Sequence, residues 1–355
     1  MFRIKNNWHL FAITVAYLCY IIFFRRDILS HRFNEDLTRQ FYLSQDIPYE
    51  VNGTRLFLSD QDIYAATGVL YLRGGDPAFE NFEHPPLGKY LFGLSTQITG
   101  NPLIVQLIWG LIALLFLVII TADVTKSSLF GLIAGLGLLF DPLFQNILGV
   151  TLLDLGQSAL LLVYLYYFTK NPNSILNGVI LGLLGSLKFP AAAIFIVALI
   201  TTSHIYNKKL SKEYILHLLL AAFIFALTYA QSFILRGGNF NIIWHVLRMG
   251  RFFVDHSTAS FFGASAILYV SGWWKTWWGD YGWMRTELWT PIWPLGMVIG
   301  IMQRSFWGII PTAYLIYLGV QAPFPRYFMI IVPFVYLILA SSVQNFINRY
   351  TRVPK

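Results

Sequence analysis

Residues 102–122 read PLIVQLIWGLIALLFLVIITA, a run that carries no charge and is apolar almost throughout. About 20 such residues in a row are enough to cross the hydrocarbon core of a bilayer as one α-helix. Similar runs lie on both sides of it, so the sequence predicts an all-α integral membrane protein with about ten transmembrane helices. We expect residues 1–355 to form a single transmembrane domain. The other nine runs lie at about 8–24, 129–147, 152–168, 175–188, 189–205, 214–235, 289–303, 306–321 and 326–346.

The composition agrees with a membrane protein and argues against a nucleic-acid partner. Hydrophobic residues make up 56% of the chain and charged residues only 12%, whereas soluble domains carry about 25% charged residues. The net charge of +8 comes from Lys and Arg side chains at the ends of apolar runs, which is where membrane proteins place them. The one cysteine, Cys19, excludes a disulfide within the chain.

The positive charges of the short loops predict the orientation. If ten spans alternate, these charges fall on one side, which should be the cytoplasm. Both termini are then cytoplasmic, and the two long loops, at about 25–101 and 236–288, face outward. The cations that fall on the cytoplasmic side are Lys126, Lys170, Lys208, Lys209, Lys212, Arg304, Arg349, Arg352 and Lys355.

The second outer loop carries two features typical of a membrane surface. Residues 240–254 mix apolar side chains with His245, Arg248 and Arg251 at a spacing that predicts an amphipathic helix in the interface. Residues 269–293 contain seven tryptophans. These indicate an aromatic belt at the headgroup level or, alternatively, a platform for a sugar or lipid headgroup. They are Trp273, Trp274, Trp277, Trp278, Trp283, Trp289 and Trp293.

The first outer loop contains the strongest candidates for catalytic and anion-binding residues. Asp60 and Asp62 are two carboxylates separated by one residue, which on a surface loop is weak evidence for a site. The string Glu83-His84-Pro85-Pro86-Leu87-Gly88-Lys89 is more specific, because two prolines suit the residues just before a helix. We expect a short helix over 87–98. With His84 and Lys89 beside its start, its N-terminus would favour an anion.

Three more ionisable residues lie at the ends of apolar runs. An ionisable group within a span is a candidate functional residue, and the predicted topology places Asp154, Lys188 and Arg326 on the same outer side as Asp60. The alternatives are a helix N-cap for Asp154 and extension toward lipid headgroups for Lys188 and Arg326. The placement of all four residues on one side of the membrane is the best indication that they form one site.

These residues resemble the motifs of the C-type membrane glycosyltransferases, most closely the protein O-mannosyltransferases (dolichyl-phosphate-mannose-protein mannosyltransferases) and their bacterial relatives. The matching pieces run in family order along nearly the whole chain. The proline string is the most specific, and Pro325-Arg326-Tyr327 resembles the related aminoarabinose transferases. The pieces are Asp60-Gln61-Asp62, His84-Pro85-Pro86-Leu87-Gly88-Lys89, Leu152-Leu153-Asp154, Gly182-Leu183-Leu184-Gly185-Ser186-Leu187-Lys188 and Pro325-Arg326-Tyr327.

The resemblance implies sugar transfer from a polyprenyl-phosphate donor, with mannose as one option, to a protein, lipid or glycan acceptor outside a prokaryotic plasma membrane. It implies inversion at the anomeric carbon, with Asp60 as general base and Asp62 as an extra or substitute carboxylate. His84, Lys89, Lys188 and Arg326 become phosphate ligands, supported by Glu83, Asp154 and Tyr327. The chain departs from the family at Gln61, where a glutamate is usual, and at Gln106 and Gly149, where arginines are usual.

Several alternatives stay open at this point. A divalent cation would bind through Asp60, Asp62 or Glu83, because hard cations prefer carboxylate oxygens, but the sequence does not decide whether one is needed. A transporter or flippase for a lipid-linked or anionic solute would use similar buried cations. The departures at Gln61, Gln106 and Gly149 also leave room for a non-catalytic membrane subunit of the same fold.

Overall fold

The computed structural model describes residues 7–47, 55–188, 191–206, 211–256, 261–275 and 282–351, and most of them are helical. A single 3-10 helix, Pro325–Ile330, precedes the last α-helix, and the strands are β1 Trp273–Lys275 and β2 Trp283–Arg285. The α-helices are α1 Trp8–Phe24, α2 Arg26–Ser30, α3 Asp36–Phe41, α4 Asp60–Leu72, α5 Leu87–Thr99, α6 Ile104–Thr125, α7 Ser128–Leu139, α8 Pro142–Leu148, α9 Asp154–Lys170, α10 Leu176–Leu187, α11 Ala191–Tyr206, α12 Lys212–Leu227, α13 Ala230–Leu235, α14 Ile242–His256, α15 Ala264–Ser271, α16 Ile292–Gln303, α17 Phe306–Leu318 and α18 Val332–Thr351.

Each predicted apolar run contains a helix, but the number of spans is not confirmed. Among the described residues only α6 is long and apolar enough to cross a bilayer by itself. The pair α7 and α8 passes the same test together and bends by 64° at its break. Several other apolar helices have 12 to 17 residues, which is about 18–26 Å at 1.5 Å per residue. Such helices are shorter than the roughly 30 Å of hydrocarbon in a typical bilayer.

The chain divides into two compact units, each described by itself. The first contains the described residues of 1–26, 110–147 and 257–355. In it α7 packs against α1 and α18, and α16 packs against α17 and α18. A buried carboxylate, Asp141, lies at the break between α7 and α8 and accepts hydrogen bonds of 2.9 Å from Trp293 Nε1 and Tyr336 Oη.

The second unit contains the described residues of 27–109 and 148–256. Its main packing contacts join α4 to α5, α10 to α12 and α9 to α10. The α10–α12 contact is close because Gly182 has no side chain: a Cβ there would lie 2.8 Å from the Ala221 carbonyl oxygen. All the predicted site residues except Arg326 and Tyr327 belong to this unit.

The second outer loop agrees with the prediction in one part and departs from it in another. Helix α14 is present, with Ile243, Trp244 and Leu247 exposed on one side and His245 and Met249 buried on the other. The prediction of an all-helical chain missed the antiparallel hairpin of β1 and β2. Three of its six paired residues are tryptophans, an aromatic type enriched in strands.

The tryptophans of this loop do not all fit an aromatic belt. Trp293 is completely buried, so for this residue the prediction of a headgroup anchor is wrong. Its indole binds Asp141, because a buried indole N–H requires an acceptor. Trp277 and Trp278 lie outside the described residues.

Candidate active site

Helices α4 and α5 form the base of the site and touch through glycine. A Cβ on Gly68 would collide with the Lys89 carbonyl oxygen, and one on Gly93 would collide with the Gly68 carbonyl oxygen. The missing side chains therefore let the two backbones meet directly. Helix α5 begins after Pro86 and ends at Gly100, whose φ of 73° is the left-handed conformation common at helix ends. The predicted helix over 87–98 is confirmed.

The two aspartates of the first loop have different surroundings. Asp60 is the first residue of α4 and is half-buried. Asp62 belongs to the helix cap: its amide donates to the Ser59 hydroxyl oxygen, and that hydroxyl donates back to Asp62 Oδ2 at 2.5 Å. Ser59 is thus the N-cap of α4, and an N-cap side chain that accepts from a backbone amide stabilises the first turn of a helix. Asp62 supports this cap through its bond to the Ser59 hydroxyl.

Asn81 connects a second group of charges beside Asp60. Its side-chain amide donates to Asp46 Oδ2 at 2.5 Å and to Glu83 Oε1 at 2.9 Å. Its carbonyl oxygen and side-chain oxygen accept from Lys89 Nζ at 2.7 and 3.0 Å. The His84 carbonyl oxygen accepts the third hydrogen bond of Lys89, at 2.8 Å. An ammonium has three donors, so these three acceptors occupy the completely buried Lys89.

The charges in this group perturb one another. Burial, together with the nearby Asp46 and Asp60, raises the pKa of Glu83 to about 8 against the opposing effects of Asn81 and Lys89. Burial likewise raises the pKa of Asp46 to about 6, with a smaller contribution in the same direction from Asp60. For Lys89, burial lowers the pKa to about 7. Groups with perturbed pKa values at one place are typical of functional sites.

His84 lies between two aromatic rings. Its ring centroid is 5.4 Å from that of Tyr64 on α4 and 5.1 Å from that of Phe253 on α14. The guanidinium of Arg248 stacks over Phe82, with Cζ 3.7 Å from the ring centroid. Helix α14 therefore forms a wall of this site and contributes both aromatic and cationic side chains.

Helix α13 holds the loop between α4 and α5 from another side. Gln231 donates to the carbonyl oxygens of Tyr71 and Gly75, at 2.8 and 2.5 Å. Asp76 accepts from the Ser232 hydroxyl and from Arg236 Nε, both at 2.7 Å. These contacts fix the chain that leads to Asn81 and Glu83.

Asp154 and Lys188 form a buried ion pair. Lys188 Nζ lies 2.5 Å from Asp154 Oδ1, and both side chains are less than a tenth exposed. Asp154 is the first residue of α9, not its N-cap. Its other oxygen, Oδ2, is buried without a hydrogen-bond partner within the described part of the chain. Lys188 is thus held inside the protein rather than extended to a lipid surface.

The segment before Asp154 connects this ion pair to the Asp60 helix. The Thr151 hydroxyl donates to the Gln61 carbonyl oxygen at 2.5 Å. On either side of Thr151, the carbonyl oxygens of Val150 and Leu152 accept from Gln106 Nε2 at 2.6 and 2.5 Å. Gln106 therefore holds the backbone at a position where the resembled family usually has an arginine.

The remaining predicted residues are placed as follows. Arg326 and Tyr327 lie in the 3-10 helix of the first unit, where Arg326 Cζ is 5.0 Å from the Phe324 ring centroid. The second unit brings Asp60, Glu83 and Lys89 into one group of charges and pairs Asp154 with Lys188.

The described residues contain no group of three or more His, Cys, Asp or Glu side chains arranged to hold a metal ion. A divalent cation at Asp60, Asp62 or Glu83 stays a prediction from the sequence.

Sequence reasoning missed Asp46 and Asn81 as members of the site. Asp46 lies fourteen positions before Asp60 and belongs to none of the motifs. Asn81 stands two residues before Glu83, just ahead of the proline string. An asparagine between acidic residues and shortly before a lysine was the one local signal.

Comparison with known proteins supports the fold. No protein-family profile and no curated protein sequence matches the chain. Crystal structures of ArnT from Cupriavidus metallidurans do match, both at 14% identity. The structure bound to undecaprenyl phosphate gives a TM-score of 0.61 over 95% of this chain, and the apo structure gives 0.57 over 94%. The chain spans 60% and 59% of those ArnT chains. The protein thus has a fold like that of ArnT, a C-type membrane glycosyltransferase.

Proposed function

We propose that this protein is a membrane glycosyltransferase that moves a sugar from a polyprenyl-phosphate donor to an acceptor hydroxyl on the outer side of the membrane. The observation that carries the proposal is the group of perturbed charges beside Asp60 on an ArnT-like fold. Mannose is the first sugar to test, because the motifs resemble those of the protein O-mannosyltransferases. The acceptor is a protein, a lipid or a glycan.

Asp60 is the general base of the proposed reaction. Its carboxylate takes the proton of the acceptor hydroxyl while that oxygen forms a bond to the anomeric carbon. The bond between the anomeric carbon and the phosphate oxygen breaks, and its electron pair stays with the polyprenyl phosphate. This single displacement inverts the anomeric centre. Asp62 is less suited to the role, because its Oδ2 accepts a hydrogen bond from the hydroxyl of Ser59, the N-cap residue of α4.

Fixed cations stabilise the charge that builds on the departing phosphate. His84 and Lys188 are the proposed phosphate ligands of the second unit. The resemblance in motifs assigns the same role to Arg326, with Tyr327 in support, and both of these residues belong to the first unit. Lys89, predicted from sequence as a fourth ligand, is better suited to positioning, since three protein oxygens accept from its ammonium. Asp154 orients Lys188 through Oδ1 and keeps Oδ2 as an acceptor for a donor-sugar hydroxyl.

The proposal is tested with purified full-length protein and a panel of radiolabelled polyprenyl-phosphate sugars. The parent protein should release polyprenyl phosphate and transfer the label to an acceptor. Asp60→Asn should lower turnover by about 10²–10⁴-fold, the usual contribution of a positioned base. Its binding of undecaprenyl phosphate should stay close to that of the parent.

Asp62→Asn is the matched control. An asparagine can still accept the Ser59 hydrogen bond through its side-chain oxygen, so we expect a much smaller loss. Turnover by Asp60→Asn at the parental rate would reject Asp60 as the base. In proteoliposomes, movement of the lipid-linked sugar across the bilayer without transfer would favour the transporter or flippase.

A further inference from the structure

Asn81 is a buried residue whose side-chain amide and backbone carbonyl oxygen all form hydrogen bonds to charged groups. It is 1% exposed, and its backbone has a φ of 47°, in the left-handed region. Each N–H of its amide points to a different carboxylate, Asp46 or Glu83. Its two oxygens accept from Lys89. One neutral side chain thus contacts two acids and one base.

We propose that Asn81 is a positioning residue that holds the Asp46 and Glu83 carboxylates and the Lys89 ammonium in place beside Asp60, and that Asp46 belongs to the active site. This inference rests on the proposed function only where it concerns catalysis. The arrangement of charges around Asn81 is tested separately below.

An asparagine is well suited to this position. Its amide offers two donors and one acceptor from a short, planar group, so one residue can hold apart two carboxylates that repel each other. An aspartate of the same shape has no donors when ionised. A glycine would adopt the positive φ without strain but has no side chain for any of the three partners.

A simpler explanation is that Asn81 serves only the backbone conformation. Asparagine is several-fold enriched among non-glycine residues with positive φ. That explanation predicts that Asn81→Gly is harmless, because glycine tolerates this conformation best. A positioning role predicts that Asn81→Gly is harmful, so the glycine variant distinguishes between the two explanations.

The first experiment measures Lys89 directly and needs no enzyme activity. The full-length protein in detergent is treated with an amine-reactive reagent, and modification of Lys89 is followed by peptide mass spectrometry. In Asn81→Gly we expect Lys89 to react at least about tenfold faster than in the parent. The variant keeps the backbone acceptor at position 81 but removes the Oδ1 acceptor of the ammonium, together with the amide that holds the Asp46 and Glu83 carboxylates near it. Reaction at the parental rate would overturn the inference.

The second experiment measures catalysis. Asn81→Gly and Asn81→Asp should both lower kcat by about tenfold or more, with the KM for the donor within about threefold of the parent. The aspartate keeps an acceptor for Lys89 and tolerates positive φ, so it decides the question if the glycine variant fails to fold. Parental kcat in a folded variant would overturn the inference. If the parent transfers no sugar at all, the proposed function fails, and the labelling experiment still decides the arrangement around Asn81.

Asn101 provides the matched control. It is also 1% exposed and lies in the same unit, but its amide donates to the Ile28 carbonyl oxygen and its oxygen accepts from the Leu103 amide. Asn101→Asp should lower the melting temperature while leaving the kcat of the folded protein and the reactivity of Lys89 unchanged. A fall of kcat in this control equal to that in Asn81→Asp would mean that loss of any buried amide suffices, and the inference would be wrong.

Discussion

Glu83 differs from an ordinary surface glutamate because folding buries it near two other acids. Burial and the neighbouring Asp46 and Asp60 raise its pKa from 4.5 to about 8. An acid whose pKa is raised by folding binds its proton more tightly in the folded state. Its contribution to stability is therefore complete below about pH 4.5 and is lost as the pH rises toward about 8.

This shift predicts a pH dependence of stability. Between pH 5 and pH 7 the melting temperature of the purified protein should fall, and Glu83→Gln should make the fall smaller, because an amide does not titrate. The window ends at pH 7 because the lowered pKa of Lys89, about 7, acts in the opposite direction above it. An unchanged slope in Glu83→Gln would contradict the prediction.

The buried Asp154–Lys188 ion pair changes the expected effect of substituting Lys188 on protein stability. From the sequence alone, we expect Lys188→Met to stay folded and to weaken donor binding by about ten- to a hundredfold. The structure shows that Lys188 is one partner of a buried ion pair, and removing one partner of such a pair lowers the free energy of unfolding by about 3–5 kcal/mol. We therefore expect Lys188→Met to lower the melting temperature strongly.

The double variant Lys188→Met with Asp154→Asn separates the two effects. With both charges removed, much of the lost stability should return, while binding of undecaprenyl phosphate should stay weak. The measurements are thermal unfolding and lipid binding on the same preparations. If the double variant bound the lipid phosphate as tightly as the parent, Lys188 would be a structural residue and not a phosphate ligand.

At the scale of elements, the contact between α4 and α5 positions the candidate base. Gly68→Ala and Gly93→Ala each place a methyl group against backbone atoms of the other helix, which cannot move aside like a side chain. Overpacking of this kind costs about 1–3 kcal/mol or more. We expect a lower melting temperature and, because α4 carries Asp60, a lower kcat.

Gly250→Ala is the control for this prediction. Gly250 lies within α14, and a Cβ there meets nothing within 4 Å. Replacing a helical glycine by alanine without a clash stabilises a protein by about 0.4–1 kcal/mol. Equal melting temperatures for Gly68→Ala and Gly250→Ala would show that α4 and α5 can move apart without loss of stability, and would contradict the prediction.

For the whole molecule, the topology remains a prediction. The cations of the short loops place the first long loop outside and the α9–α10 connection inside. In a Cys19→Ser background, single cysteines at Phe57 and Asn173, both exposed positions, should react with an impermeant reagent from opposite sides of the membrane. Reaction from the same side would reject this topology and the outward-facing site.

The sequence by itself determined the helices and the residue types of the motifs in the first outer loop. Apolar runs and proline positions act within a few residues, so the locations of α6, α9 and the start of α5 could be predicted from local patterns. The resemblance in motifs led to a C-type fold, and comparison with ArnT supports that fold. Span lengths were harder to predict, because helices of 12 to 17 residues and a 64° break interrupt runs that look continuous.

The partners of the charged residues were decided only by the tertiary structure. Asp46 meets Asn81 across 35 positions of sequence, and Asp154 meets Lys188 across 34. No local pattern encodes such pairs, because they depend on where distant segments return after the helices pack. Packing also removes water from these groups, which is the main cause of the raised pKa of Glu83 and the lowered pKa of Lys89. The sequence therefore supplied the acids and bases, and tertiary packing decided which of them hold the others in place.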